Sequence, residues 1–236
     1  MQTPGPADDT GPLHDDPILA LPRDRGWVAP DVAEEHPGLE LFSWTVETDW
    51  PARKAAWAKE WIARLSTRVD GPAVLNAHRE EAPAAHRRFL QRIGRDPAED
   101  RSPQEAAYHA RIKHGGFPVR GAPHDVLLIT LLETGVPIWA VDADRLTGGL
   151  GLRRSLQGEL GDPDEGPEVP PDARREPVVV DETGVVAEVC RLPRAARRAT
   201  KKTTRTTFFC ARVPDLTDMR VDEAVWLCRS LTARAD

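Results

Sequence analysis

The sequence predicts a mixed α+β or α/β fold: a central buried helix–strand unit, a mixed sheet, and flanking helices. Three observations carry that expectation. The segment DVLLITLLET is apolar almost all round, the mark of a helix enclosed by its own domain. Gly135 and the apolar run VPIWAV follow it, so a helix, a turn and a strand come in succession. Nearer the carboxyl end, two Val-rich runs flank a turn at Gly184, the pattern of a β-hairpin.

The elements follow in order. Residues 1–26 are rich in Pro, Gly and Asp and read as a flexible arm, with the PILALP patch able to dock on a surface. The run LELFSWTVE, residues 39–47, alternates and reads as a strand. Thr48 or Asp49 then caps a helix with Pro51 in its first turn. Trp57, Ala58, Trp61, Ile62, Leu65 and Val69 form its apolar face, and Gly71-Pro72 stops it. Residues 72–77 (PAVLNA) read as a short strand, and helices are expected over 80–93 and 104–114. Asp125 is placed to cap the central helix, and residues 136–141 form the central strand. The stretch 142–151 reads as a loop and 152–160 as a short helix.

Residues 161–177, rich in Pro and acid, read as a linker that closes a main core over 27–160. Residues 178–236 form a hairpin–helix–strand–helix unit, its strand at 206–213 and last helix at 221–233. That unit either completes the same sheet or stands apart.

Composition bounds the function. The chain of 236 residues carries a net charge of -6, which argues against a surface that coats nucleic acid throughout. No apolar run is long enough to span a bilayer, so no membrane partner is expected. The amino-terminal residues lack the basic and apolar regions of a secretory leader, and the expected location is cytoplasmic. Cys190, Cys210 and Cys228 show no zinc or disulfide spacing and read as structural thiols. The bias toward Ala, Arg, Pro and Gly is that of a GC-rich genome such as an actinobacterium's.

Several constellations could carry chemistry. Asp142 and Asp144 follow the apolar strand as a DxD, and two carboxylates at a strand end offer hard oxygen ligands to Mg²⁺ or Mn²⁺. The string PIWAVDAD resembles, over this short span alone, the strand-then-DxD signature of GT-A glycosyltransferases. There the carboxylates hold a metal that bridges a nucleotide diphosphate. A second DxD at Asp162 and Asp164 shows how readily this composition forms the triplet. Next comes the glycine loop with Gly149 and Gly151, read as leading into a helix and followed by Arg153 and Arg154. Its N–H groups and guanidiniums could hold an anion.

The sharpest asymmetry is RLPRAARRATKKTTR, residues 191–205. Arg191, Arg194, Arg197, Arg198, Lys201, Lys202 and Arg205 give it seven positive charges and no acid. It fits an anionic partner, and the acid-rich residues 159–182 offer an internal alternative. His78, His86, His109, His114 and His124 cluster in the chain without metal-ligand spacing. Trp27, Trp44, Trp50, Trp57 and Trp61 read as core anchors before they read as a pocket.

No nucleophile motif is present. The expected function is therefore a non-catalytic binding, regulatory or assembly protein without a cofactor. Its partner would be a protein, a second copy of the chain or, through the basic stretch, a nucleic acid. The alternative is a small Mg²⁺- or Mn²⁺-dependent enzyme acting on a phosphorylated or nucleotide-linked substrate.

Overall fold

A computed structural model describes residues 22–160 and 175–235. Most of the expected arm and linker, including Asp162 and Asp164, lies outside the described residues.

Within these residues the architecture is α+β, with helices and two four-stranded sheets. The first sheet is antiparallel throughout. Its core pair is β3 (Glu40–Glu47) and β8 (Arg205–Arg212), joined residue for residue along their whole lengths. β4 (Trp139–Asp142) flanks β8, and the two-residue β1 (Asp24–Arg25) flanks β3. Trp44 stands directly opposite Phe208 and stacks on it at 5.5 Å, while Trp50 meets the same ring edge-on at 6.4 Å. These two tryptophans are buried core anchors. Trp61 is half-buried and donates its Nε1–H to Glu133, and Arg234 covers the ring of Trp57.

The second sheet runs β2 (Trp27–Val28), β5 (Gly151–Arg154), β6 (Pro177–Asp181) and β7 (Gly184–Glu188). β6 and β7 are the expected hairpin. Asp181 clasps its turn by accepting from the Thr183 and Gly184 N–H groups and the Thr183 hydroxyl. One continuous core joins Leu152, Val179 and Val186 of this sheet to Leu41, Phe208 and Phe209 of the first.

The helices are α1 (Pro30–Glu35), α2 (Ala56–Arg68), α3 (Gly71–Asn76), α4 (Glu81–Arg92), α5 (Pro103–His114), α6 (His124–Thr134) and α7 (Asp218–Ala235). α6 is the buried helix, packed against α2, α5 and α7 and ended by Gly135 at φ 74. Its Thr130 and Thr134 hydroxyls donate back to the carbonyls four residues earlier, so they are buried at no loss of hydrogen bonding.

Several elements differ from expectation, each for a local physical reason. Residues 71–76 form a helix rather than a strand because the Asp70 carboxylate accepts from the Ala73 N–H at 2.9 Å and Pro72 fits the first turn. α2 begins only at Ala56. Thr48 does not cap it: its hydroxyl donates to the Thr203 carbonyl and meets the Thr206 hydroxyl, which ties it to β8. Asp125 sits inside α6, and its carboxylate closes the preceding turn on the Arg120 and Gly121 N–H groups.

The central strand starts at Trp139 instead of residue 136, beyond Pro137, which has no N–H to give a ladder. It pairs antiparallel with β8, so the helix–strand unit forms no parallel α/β crossover. Residues 151–154 are a strand, not the start of a helix, because β6 pairs with them along their length. The expected helix in the basic stretch shrinks to one 3₁₀ turn, Ala195–Arg197. Cys190 lies past the end of β7, at φ 66.

Candidate anion-binding surface

The basic stretch runs along the end of the first sheet. It holds position through backbone bonds: the Arg194 N–H reaches the Val186 carbonyl, the Ala199 N–H reaches the Ala140 carbonyl, and Arg198 bridges Val141. Several of its cations serve the fold. Arg191 pairs with Asp100 and Glu188, and Arg194 donates to the Glu159 carbonyl. Arg197 sits 3.3 Å from buried Asp181 and also bonds the Arg145 carbonyl and the Thr183 hydroxyl. Arg198 donates to the Pro193 carbonyl, and Arg205 pairs with Asp144 at 3.1 Å. Burial pushes the Asp181 pKa up. Its bonds from Thr183 and Thr147 and the Arg197 charge outweigh this and hold the carboxyl below its ordinary range.

Lys201 and Lys202 stand apart. Both are exposed at the tip of a clasped turn. The Thr200 N–H donates to the Thr203 hydroxyl, the Lys202 N–H to the Thr200 hydroxyl, and the Thr203 N–H to the Thr200 carbonyl. Buried Thr203 in turn accepts from Thr48. The turn is thus ordered by its threonines, while its lysines face solvent.

Asp142 and Asp144 lie beside this loop, each engaged by protein. One Asp142 oxygen accepts the Asp144 N–H at 3.2 Å and the other stands 3.5 Å from Arg145 Nε. Asp144 is held by Arg205. No group of three or more His, Cys, Asp or Glu side chains among the described residues is placed to hold a metal ion.

The glycine loop precedes a strand, so it presents no helix N-terminus to an anion. Gly148 has φ 71, and a Cβ there would run into Glu182. Gly151 accommodates the Trp27 indole, which lies against its Cα and leaves no room for a side chain. Around Gly149 there is open space. Arg153 and Arg154, adjacent on β5, diverge: Arg153 forks onto Glu159 at 2.7 and 2.9 Å, and Arg154 holds Asp31 and Glu35.

The histidines do not converge. His86 is fully buried, its Nδ1 2.7 Å from the Ala82 carbonyl, and His124 caps Asp125. Burial pushes the thiols of Cys190 and Cys210 up to about 12 and that of Cys228 higher still, so they are inert near neutral pH. The residue the sequence reading missed is Arg145, whose guanidinium bonds the Ala196 carbonyl and faces Asp142. It lies on a 3₁₀ turn inside the presumed loop, and nothing local marks it. No helix of the described residues is long and apolar enough to cross a membrane. No protein-family model matches the chain, and no curated protein matches it at a significant level.

Proposed function

We propose that this is a non-catalytic binding protein that engages an anionic partner through the Lys201–Lys202 turn, with Arg198 and Arg205 beside it. One observation carries the reading: the turn is clasped by threonines and anchored by backbone bonds, yet the two lysines it presents are exposed. A pre-ordered turn loses little entropy when it binds, which favours affinity from few contacts. Long-range attraction by the cluster speeds encounter and is screened by salt.

The alternative, a Mg²⁺- or Mn²⁺-dependent enzyme, would need Asp142 and Asp144 released from Arg145 and Arg205. Those pairs favour the binding reading.

The test is a double substitution, Lys201→Ala with Lys202→Ala, which spares the cations that hold the loop. The wild type is expected to be retained on immobilised heparin. The variant should elute at clearly lower salt with an unchanged melting temperature. Identical elution of the two proteins would sink the proposal.

A further inference from the structure

On another face, α1, the end of α4 and the ends of β5, β6 and β8 line two clefts of about 340 and 410 Å³. They share Glu35 and Arg92. Arg154 and Arg175 line the first and Arg212 the second, so four guanidiniums from four separate segments meet two carboxylates, Glu35 and Asp215. Asp31, Glu40 and Asp218 also pair with Arg154 and Arg212 but do not line the groove.

The arginines are held in place. Asp215, at φ 73, accepts from both Arg88 and Arg92 at 3.0 Å. Glu40 fixes Arg212 at 2.8 Å, and the Arg175 carbonyl accepts from Arg154. Glu35 already places a carboxylate on Arg154, the same chemistry an anionic ligand would bring. The Arg175 guanidinium is exposed and has no partner among the described residues.

His36 lies in the wall of the first cleft. Its side chain is 3% exposed, it packs edge-on against Phe89, and its Nδ1 has no hydrogen-bond partner. Burial and the nearby Arg92 charge lower its pKa, which favours a neutral imidazole.

We propose that this groove binds a small ligand carrying two oxyanion groups, a diphosphate or a dicarboxylate. One group would sit among Arg92, Arg154 and Arg175, the other between Arg92 and Arg212. The volumes fall in the range of small-molecule sites, and guanidinium forks suit planar and tetrahedral oxyanions alike.

Calorimetric titration of the full chain with inorganic pyrophosphate, malonate and orthophosphate tests this. Pyrophosphate or malonate is expected to bind saturably, at least roughly tenfold tighter than orthophosphate, and the tighter of the two assigns the class. Arg175→Ala and Arg92→Ala should each weaken binding by about tenfold. Because Arg175 is exposed, its variant should keep the wild-type melting temperature, so lost binding there is not unfolding. The Lys201→Ala, Lys202→Ala variant should bind as the wild type does. The proposal is overturned if neither probe with two oxyanion groups binds tighter than orthophosphate or if both arginine variants bind normally. It is equally overturned if the lysine variant is the one that loses binding.

Discussion

His86 shows how one side chain can set the acid limit of the molecule. It is buried completely, with one ring nitrogen bonded to the Ala82 carbonyl and Nε2 unpartnered. Burial pushes its pKa down to about 4, against the weaker opposing effects of the Ala82 carbonyl and Glu105. Between about pH 6.5 and 4 the unfolded chain therefore binds a proton that the native state refuses. Stability is expected to fall as pH drops through that window, by on the order of 3 kcal/mol in all. Urea midpoints measured from pH 7 to pH 4 check this. A His86→Leu variant should show a flatter profile across the same range; an equally steep one would assign the acid loss to other groups.

Ser102 and Glu105 do at the level of an element what His86 does at a point. The serine hydroxyl accepts from the Glu105 N–H, and the Glu105 carboxylate accepts from the Ser102 N–H, closing the start of α5 in both directions. Glu105 also holds Arg87 of α4 at 2.9 Å, so the cap joins two helices. Ser102→Ala should cost about 1–2 kcal/mol in equilibrium unfolding, with Ser102→Thr close to wild type. No shift for the alanine variant would show that Glu105 caps alone. Elements specified locally were legible in the sequence: β3 by alternation, α6 by its all-round apolarity and closing glycine, the hairpin by its Asp-Glu-Thr-Gly turn. Elements specified by distant partners were not. β5 is a strand because β6 lies beside it, and Gly151 is a glycine because Trp27 needs its space. The Arg194–Arg198 stretch has helical composition but gives its backbone to β4 and β7.

Across the whole molecule, Arg95 links the helices to the second sheet. It follows the turn that ends α4, is only 10% exposed, and bonds both Glu176, which leads into β6, and Glu188, which ends β7. Burial alone would lower its pKa; the two carboxylates outweigh that and raise it. Arg95→Ala would take the counter-charge from Glu176 and leave Glu188 with Arg191 alone, at a cost of about 3–5 kcal/mol. Arg95→Lys should fall between, since an ammonium cannot fork onto both. Thermal unfolding of the two variants checks the order; equal melting temperatures would make the cluster dispensable. Nothing in the sequence announces Arg95, Glu176 and Glu188 as partners. The groove arginines at 92, 154, 175 and 212 are equally scattered, and only the assembled fold gathers them.

The position of β8 has a consequence for how the chain acquires its shape. This strand follows both β3 and β4 in the chain, yet it lies between them, and its Arg212 meets Glu40 across a separation of 172 residues. Until residues 205–212 emerge, β3 and β4 have no shared neighbour and expose open edges of the kind that pair with other chains. The first sheet therefore assembles late and slowly, as topologies rich in distant contacts do. Before β8 is in place, Trp44 lacks the Phe208 ring that covers it in the finished sheet.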